Sequence, residues 1–454
     1  MASSSDRPLR VAVVGSGPAG FYAADALLKS EQPACEVDVF DRLPTPWGLV
    51  RLGVAPDHPN IKAVSRAFER IAERPGFRFF GNVEIGRDLG HGDLTRLYDA
   101  VVYAVGAQTD RRMGIPGEDL PGSWPATAFV AWYNGHPDFQ DLDFDLSCER
   151  AVVVGNGNVA VDVARMLALT ADELAPTDTT DAAIAAIVGS GLRDIVMLGR
   201  RGPVQAAFTT PELQELGELA GADVVVDPAD LELDLASEAE LEAGTAIPRR
   251  NLELLREYAT RELSGKGRTV RLRFRVSPVA ILGDGKVEEV EVVRNTLVVD
   301  EAGQVRAVAT EEREVIPCGI VFRSVGYRGV ALPDLPFDER RATIANRDGR
   351  VTGEDGSQVP GVYCTGWIKR GPSGVIGTNK KDATETVEHL LADARAGLLP
   401  QADGGDVEAL LGSDVVPYAG WQAIDAAERA RGEAQGRPRV KLCEWDELLA
   451  AARR

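Results

Sequence analysis

Residues 9–20 read LRVAVVGSGPAG, and this stretch decides the fold. Val11–Val14 is an apolar run of the length of a buried parallel strand, and the turn Gly15-Ser16-Gly17-Pro18-Ala19-Gly20 follows at once. Phe21, Ala24, Leu27 and Leu28 then recur at helical spacing. Strand, glycine turn and helix together give the G-x-G-x-x-G pattern its meaning as a dinucleotide site. Gly15 permits the tight turn, Gly17 lets backbone approach a pyrophosphate, and Gly20 lets helix pack on strand. Pro18 and Ala19 open the helix, whose N-terminal N–H groups and dipole attract the phosphates. A second strand, Glu36–Phe40, ends at Asp41, where a carboxylate is placed to hold a ribose diol.

Outward from this stretch, 454 residues are too many for one core, so two or three domains are expected. A net charge of −20 argues against a nucleic-acid binder. No apolar run is long enough to span a bilayer. The polar lead Met1–Pro8 lacks the apolar centre of a signal peptide, and it is expected to be disordered. Five cysteines are scattered without a C-x-x-C, so no metal site, cluster or disulfide framework is expected, and a reducing cytoplasmic location fits.

Between residues 42 and 60, proline and glycine recur every few positions, which marks a long loop carrying His58. The spacing of Ile61, Val64, Phe68 and Ile71 predicts one amphipathic helix over 61–72. Strands are expected at 77–83 and 98–106. The region 107–148 reads as a connection, with Arg111 and Arg112 as phosphate candidates just past a strand end.

The opening pattern then restarts. Arg150–Val154 is a strand, Gly155-Asn156-Gly157-Asn158-Val159-Ala160 a second glycine turn, and 161–169 a helix. After a helical insertion at 171–191, the next strand, 194–198, ends in Arg200 and Arg201 rather than in an acid. Two guanidiniums there donate to a 2′-phosphate that a carboxylate would repel, so this site reads as NADP(H). Two such sites in one chain point to a flavoprotein that holds FAD first and NADPH second. A helix is expected from about 205 to 219, and a small β-rich flap from the runs 270–276, 287–293 and 297–300. The last strand of the second domain is expected at 316–326. The repeated Val-Gly at 105–106 and 325–326 marks the two chain crossings. The fold class is therefore α/β with two Rossmann-like domains, the NADP-binding domain (108–327) inserted into a discontinuous FAD-binding domain (1–107 and 328–454).

The chain resembles the adrenodoxin-reductase type of ferredoxin–NADP(+) reductase, including its bacterial members. The resemblance rests on PTPWGLVRLGVAPDHP (44–59), VVGNGNVAVDVAR (153–165), GRRGPVQAAFTTPEL (199–213), RSVGYRG (323–329) and GWIKRGPSGVIGTNKKDA (366–383). It implies that Ala19, Asp41, Leu49, Val83, Trp367, Gly374, Val375 and Ile376 line FAD. It implies that Arg111, Asn156, Gly157, Asn158, Val159, Arg200, Arg201 and Glu212 bind NADPH, with Gly374 near both cofactors. Asp41 stands where the family commonly has Glu, and Trp367 where other two-site flavoproteins carry an Asp. His58 and Glu215 fall in motifs that meet near the nicotinamide, where their pairing would orient the ring. The implied reaction is hydride transfer from NADPH to FAD and single-electron transfer to an iron–sulfur ferredoxin. The basic set Lys369, Arg370, Lys380 and Lys381 faces either that partner or cofactor phosphates. A thioredoxin reductase would need the missing C-x-x-C, and a glutamate-synthase-like subunit a cysteine-rich N-terminal domain. A flavin monooxygenase would oxidise NADPH without a carrier, and a redox-silent nucleotide-binding scaffold would be colourless.

Overall fold

The computed structural model of the chain describes residues 7–453. Most of the polar lead therefore lies outside the described residues. Arg7 is held, because its guanidinium donates to both oxygens of Asp99 at 2.8 and 2.7 Å. The chain forms two compact units. The first runs up to Thr109, resumes over Gly326–Gln435 and again from Arg439; the second is Asp110–Val325 with Gly436–Pro438.

In the first unit, the order across the main sheet is Asn346–Arg347, Arg350–Thr352, Gln358–Cys364, Ala100–Tyr103, Leu9–Val14, Cys35–Phe40, Phe77–Gly81 and Val416–Pro417. The five strands from Gln358–Cys364 to Phe77–Gly81 are parallel, and the flanking edges are antiparallel. The unbroken apolar runs follow from burial on both faces. Val11, Val13, Val37 and Val39 face one layer, while Ala12, Val14, Phe40 and Val101 face the other. The helices Pro18–Leu28 and Ile376–Arg395 pack together on the first of these faces. The expected helix over 61–72 is two pieces, Pro59–Lys62 and Ser65–Ala72. A tight bond from the Val64 N–H to the Ile61 carbonyl breaks it, and Ile61 turns outward instead of joining the apolar face.

In the second unit, the sheet order is Ser123–Pro125, Ile320–Arg323, Arg150–Val154, Asp194–Gly199, Arg268–Phe274 and Ala222–Val226, with every pairing parallel. The region 107–148 is thus more than a connection, since it contributes a strand and the buried helix Ala126–Tyr133. The run 270–276 belongs to this sheet and not to a flap, because Val270, Leu272 and Phe274 are buried beneath its helices. The flap consists of Val276–Leu282, Glu289–Val299 and Val305–Pro317, paired antiparallel. Residues 297–299 only continue its middle strand, and Ile316 belongs to its last one. The tail segment Gly436–Pro438 joins the second unit through Arg437, whose Nε donates to the Thr177 carbonyl at 3.0 Å and whose guanidinium pairs with Asp181 at 2.5 Å.

Helix Ile376–Arg395 is fixed to the sheet by Asp393. Its carboxylate accepts from Arg350 at 2.8 Å, Tyr363 Oη at 2.7 Å and Gln358 Nε2 at 3.2 Å. The Arg350 bonds above all hold Asp393 down to about 2. Asp393→Asn is expected to destabilise the unit by about 2 kcal/mol at neutral pH. Because the folded-state pKa lies below the unfolded value of about 4, this contribution is present above that value and is lost as pH falls toward 2. Urea melts of both proteins should show the stability gap closing over that window. A gap independent of pH would contradict the assignment.

Candidate functional site

The first glycine turn has the shape its sequence implies. Gly15 adopts φ 103°, and a Cβ there would lie 2.6 Å from the Ala104 carbonyl oxygen. Gly17 caps the helix Pro18–Leu28 with no side-chain bond, and the first turn carries no acid. A Cβ on Gly17 would meet nothing within 4 Å. Open space over uncapped N–H groups fits a dinucleotide pyrophosphate. Asp41 stands at the strand end, but its carboxylate first secures the turn. It accepts from the Ser16 N–H at 2.8 Å, the Ser16 hydroxyl at 2.5 Å and the Leu43 N–H at 2.9 Å. Burial pushes the carboxyl up, and these bonds work in the opposite direction. A ribose diol must share oxygens that are already accepting.

The 44–59 loop is sewn to this turn. The Trp47 N–H donates to the Ser16 carbonyl at 2.9 Å, and Trp47 sits at φ 82°, edge-on to Trp421. Arg51 is buried and donates to both oxygens of Glu428 at 2.9 and 2.5 Å. Glu428 also accepts from the Leu442 N–H and from Arg439. Burial alone would raise the Glu428 carboxyl, but the two arginines hold it low. The clamp leaves Leu49 outward and 40% exposed, an apolar surface available to a ligand. Val83 is buried beside this strand end and donates its N–H to the Asp41 carbonyl at 2.9 Å. His58 precedes the short helix Pro59–Lys62, and its N–H bonds the Ala55 carbonyl at 3.0 Å.

The late motif returns to the same turn. Gly366, at φ 74°, lies so close to the first helix that a Cβ would sit 2.6 Å from the Ala19 Cβ. The Trp367 Nε1–H donates to the Ser373 carbonyl at 3.2 Å, and its ring tilts against Tyr327. Gly374 at φ 80° and an outward Val375, whose N–H donates to Thr378 Oγ1 at 3.2 Å, lead into helix Ile376–Arg395. Of the four basic residues, Lys369 and Arg370 turn inward. Asp382 accepts from the Gly366 N–H at 2.5 Å and from Thr365, pairs with Lys369 at 3.0 Å, and lies 3.7 Å from Arg370. Only Lys380 and Lys381 remain on the surface.

The second turn repeats the first within its own unit. Gly155 has φ 139°, with the Ser324 carbonyl 2.2 Å from its Cβ position. Gly157 leaves helix Asn158–Ala168 uncapped by any side chain and without acid in its first turn. Strand Asp194–Gly199 delivers Arg200 and Arg201. Neither guanidinium makes a hydrogen bond or an ion pair among the described residues. Unspent guanidiniums at this strand end fit a 2′-phosphate. The Asn156 side chain lies over the strand end, where a Cβ on Gly199 would be 2.7 Å from its Nδ2. Asn158 Oδ1 accepts the Thr209 N–H at 2.8 Å, and Val159 packs on the core. Arg111 and Arg112 are both exposed, and Arg112 pairs with Asp119 at 2.5 Å. Glu212 lies in the first turn of helix Thr210–Glu218, and Glu215 lies one turn on, 3.8 Å from Arg165.

Sequence reading misses the supports. Asn251, from helix Ala246–Thr260, accepts from the Thr210 hydroxyl at 2.7 Å and donates to the Phe208 carbonyl at 3.1 Å, which fixes the turn before Glu212. Asn251 and Glu428 carry no local motif, since their partners Thr210 and Arg51 lie 41 and 377 residues away, and Ser16, though inside the glycine turn, is singled out only by its bond to Asp41.

Residues 9–197 match the family model described as pyridine nucleotide-disulphide oxidoreductase. The NADPH-ferredoxin reductase FprA of Mycobacterium tuberculosis is 51% identical over 457 residues, covering 98% of this chain and 99% of that protein. The human mitochondrial NADPH:adrenodoxin oxidoreductase is 42% identical, covering 98% and 92%. The solved structure of M. tuberculosis FprA in complex with NADPH superposes with a TM-score of 0.93 at 51% identity, covering 99% of this chain and 100% of that one. With identity at this level over nearly the full length of both proteins, the chain belongs to the family of FAD-dependent NADPH–ferredoxin reductases of the adrenodoxin-reductase type.

Proposed function

We propose that the first unit holds FAD, the second holds NADPH, and the electrons leave singly to an iron–sulfur ferredoxin in the cytoplasm. The observation that carries this reading is the contrast at the two strand ends: a carboxylate, Asp41, at one and two unpaired guanidiniums, Arg200 and Arg201, at the other. Bound FAD supplies the redox chemistry, accepting a hydride and releasing electrons one at a time.

The residues bind and orient. Gly17 and the helix behind it take the FAD pyrophosphate, and Asp41 takes the ribose diol. Leu49, Trp367 and the 374–376 turn border the flavin, and Val83 supports Asp41 from behind. Arg200 and Arg201 grip the 2′-phosphate, with Arg111 beside the coenzyme. Gly157, Asn158 and Val159 meet its pyrophosphate, while Asn156 and Glu212 border its remaining length. His58 and Glu215 are positioning residues for the nicotinamide. No side chain needs to abstract a proton in a hydride transfer, so the work of these groups is alignment and exclusion of water.

Ferredoxins recognised by such reductases are acidic carriers, which suits Lys380 and Lys381 as docking charges. Reversing either charge is expected to slow ferredoxin reduction several-fold at low salt and to leave ferricyanide reduction unchanged. Equal loss with both acceptors would contradict docking there. The function itself is tested by anaerobic, NADPH-dependent cytochrome c reduction with and without added ferredoxin. Strong stimulation by ferredoxin is expected. A yellow protein that oxidises NADPH yet ignores every ferredoxin would remove the carrier from the account.

A further inference from the structure

Between the parallel strands of the second unit, the chain inserts an acidic segment. Residues 231–244 read LELDLASEAELEAG, five carboxylates and no base. Its helix, Leu235–Ala243, is capped by Asp234, which accepts the Ser237 N–H at 2.8 Å. The helix docks beside the arginine pair through one buried side chain. Gln205, four residues after Arg201, donates its Nε2–H to the Ser237 hydroxyl at 3.2 Å and to the Glu240 carboxylate at 2.8 Å. The turn that brings Gln205 back is tight. A Cβ on Gly202 would lie 2.9 Å from Gln205 Oε1 and 3.6 Å from Ser237 Oγ.

The consequence is electrostatic. Burial and the adjacent Arg200 charge lower the Arg201 guanidinium, and Glu240 is the group that pulls it back. Glu240, tied to Gln205 at 2.8 Å, makes no ion pair with either arginine among the described residues, so it acts on them through its charge without consuming their donors. A fixed carboxylate in that position repels an arriving 2′-phosphate and leaves the binding of an unphosphorylated adenosine almost untouched.

We propose that Glu240, held by Gln205 beside Arg200 and Arg201, is a specificity-determining residue that weakens the grip on the 2′-phosphate and narrows the preference for NADPH over NADH. A reductase must release its oxidised, still 2′-phosphorylated coenzyme at every turnover, and a tempered grip favours that release. The inference rests on the assignment of Arg200 and Arg201 to the 2′-phosphate.

The test is calorimetric titration of the flavin-loaded protein with adenosine 2′-phosphate and, separately, with adenosine 5′-phosphate. Glu240→Gln is expected to bind the 2′-phosphate roughly fivefold more tightly and the 5′-phosphate unchanged, as for one unit charge removed at an exposed site. Glu238→Gln removes the same charge from the same helix without touching Gln205, and it is expected to shift the 2′-phosphate much less. Equal shifts in the two variants, or none in Glu240→Gln, overturn the proposal. A wild-type protein that does not prefer the 2′-phosphate overturns the arginine assignment itself, so the two failures are told apart.

Discussion

Replacing Arg200 and Arg201 together by alanine is expected to lower kcat/KM for NADPH by about two to three orders of magnitude, while kcat/KM for NADH changes less than about threefold. Each guanidinium offers charge-assisted donors to one phosphate, and such bonds contribute about 1.5–3 kcal/mol apiece. Neither arginine spends those donors within the described protein, so their removal leaves no buried partner stranded and little cost to folding. The loss should appear mainly in KM, because the 2′-phosphate is remote from the reacting carbon and is held alike before and during transfer. Steady-state kinetics with both coenzymes measure this directly. An equal loss with NADH would mean that the pair supports the fold of the turn rather than the phosphate.

Gly20→Ala is expected to yield little soluble protein, and none that is yellow. A Cβ at this position would fall 1.9 Å from the Gly15 carbonyl oxygen and 3.1 Å from its carbon. Both obstacles are backbone, and Gly15 is itself pinned at φ 103° against Ala104. Relief requires the helix to leave the strand, at a cost of about 3 kcal/mol or more. Gly17→Ala provides the contrast. Its Cβ would enter open space at an ordinary φ of −75°, so the apoprotein should fold as the wild type does. The methyl would still stand where the pyrophosphate approaches, and flavin content should fall sharply. Thermal unfolding of apoprotein alongside flavin absorbance separates the two cases. A stable, fully yellow Gly20→Ala protein would contradict the packing described here.

The two glycine turns, their strands and the acid-versus-arginine contrast are legible because each is local: the chain must turn tightly there, and the residue after the strand meets the ligand. The same locality misleads at 270–276. A buried parallel strand and a flap strand carry similar apolar runs, and only pairing with Asp194–Gly199 and Ala222–Val226 decides between them. Lys369 and Arg370 read as charges facing either a partner or cofactor phosphates, and Asp382, thirteen and twelve residues on, draws them inward. Arg112 stays on the surface, where it pairs with Asp119. Val83 is buried, and its N–H bonds the Asp41 carbonyl, a contact that spacing does not announce. Glu428 and Asn251 could not be found at all from spacing, because what singles them out is burial opposite a distant partner.

The most direct test of the two-cofactor account is anaerobic stopped-flow mixing of the purified protein with one equivalent of NADPH, followed in a second mix by oxidised ferredoxin. The account predicts that the flavin's visible absorbance bleaches on the first mix and returns on the second, with NADH bleaching it far more slowly. A flavin that stays oxidised in NADPH would contradict it.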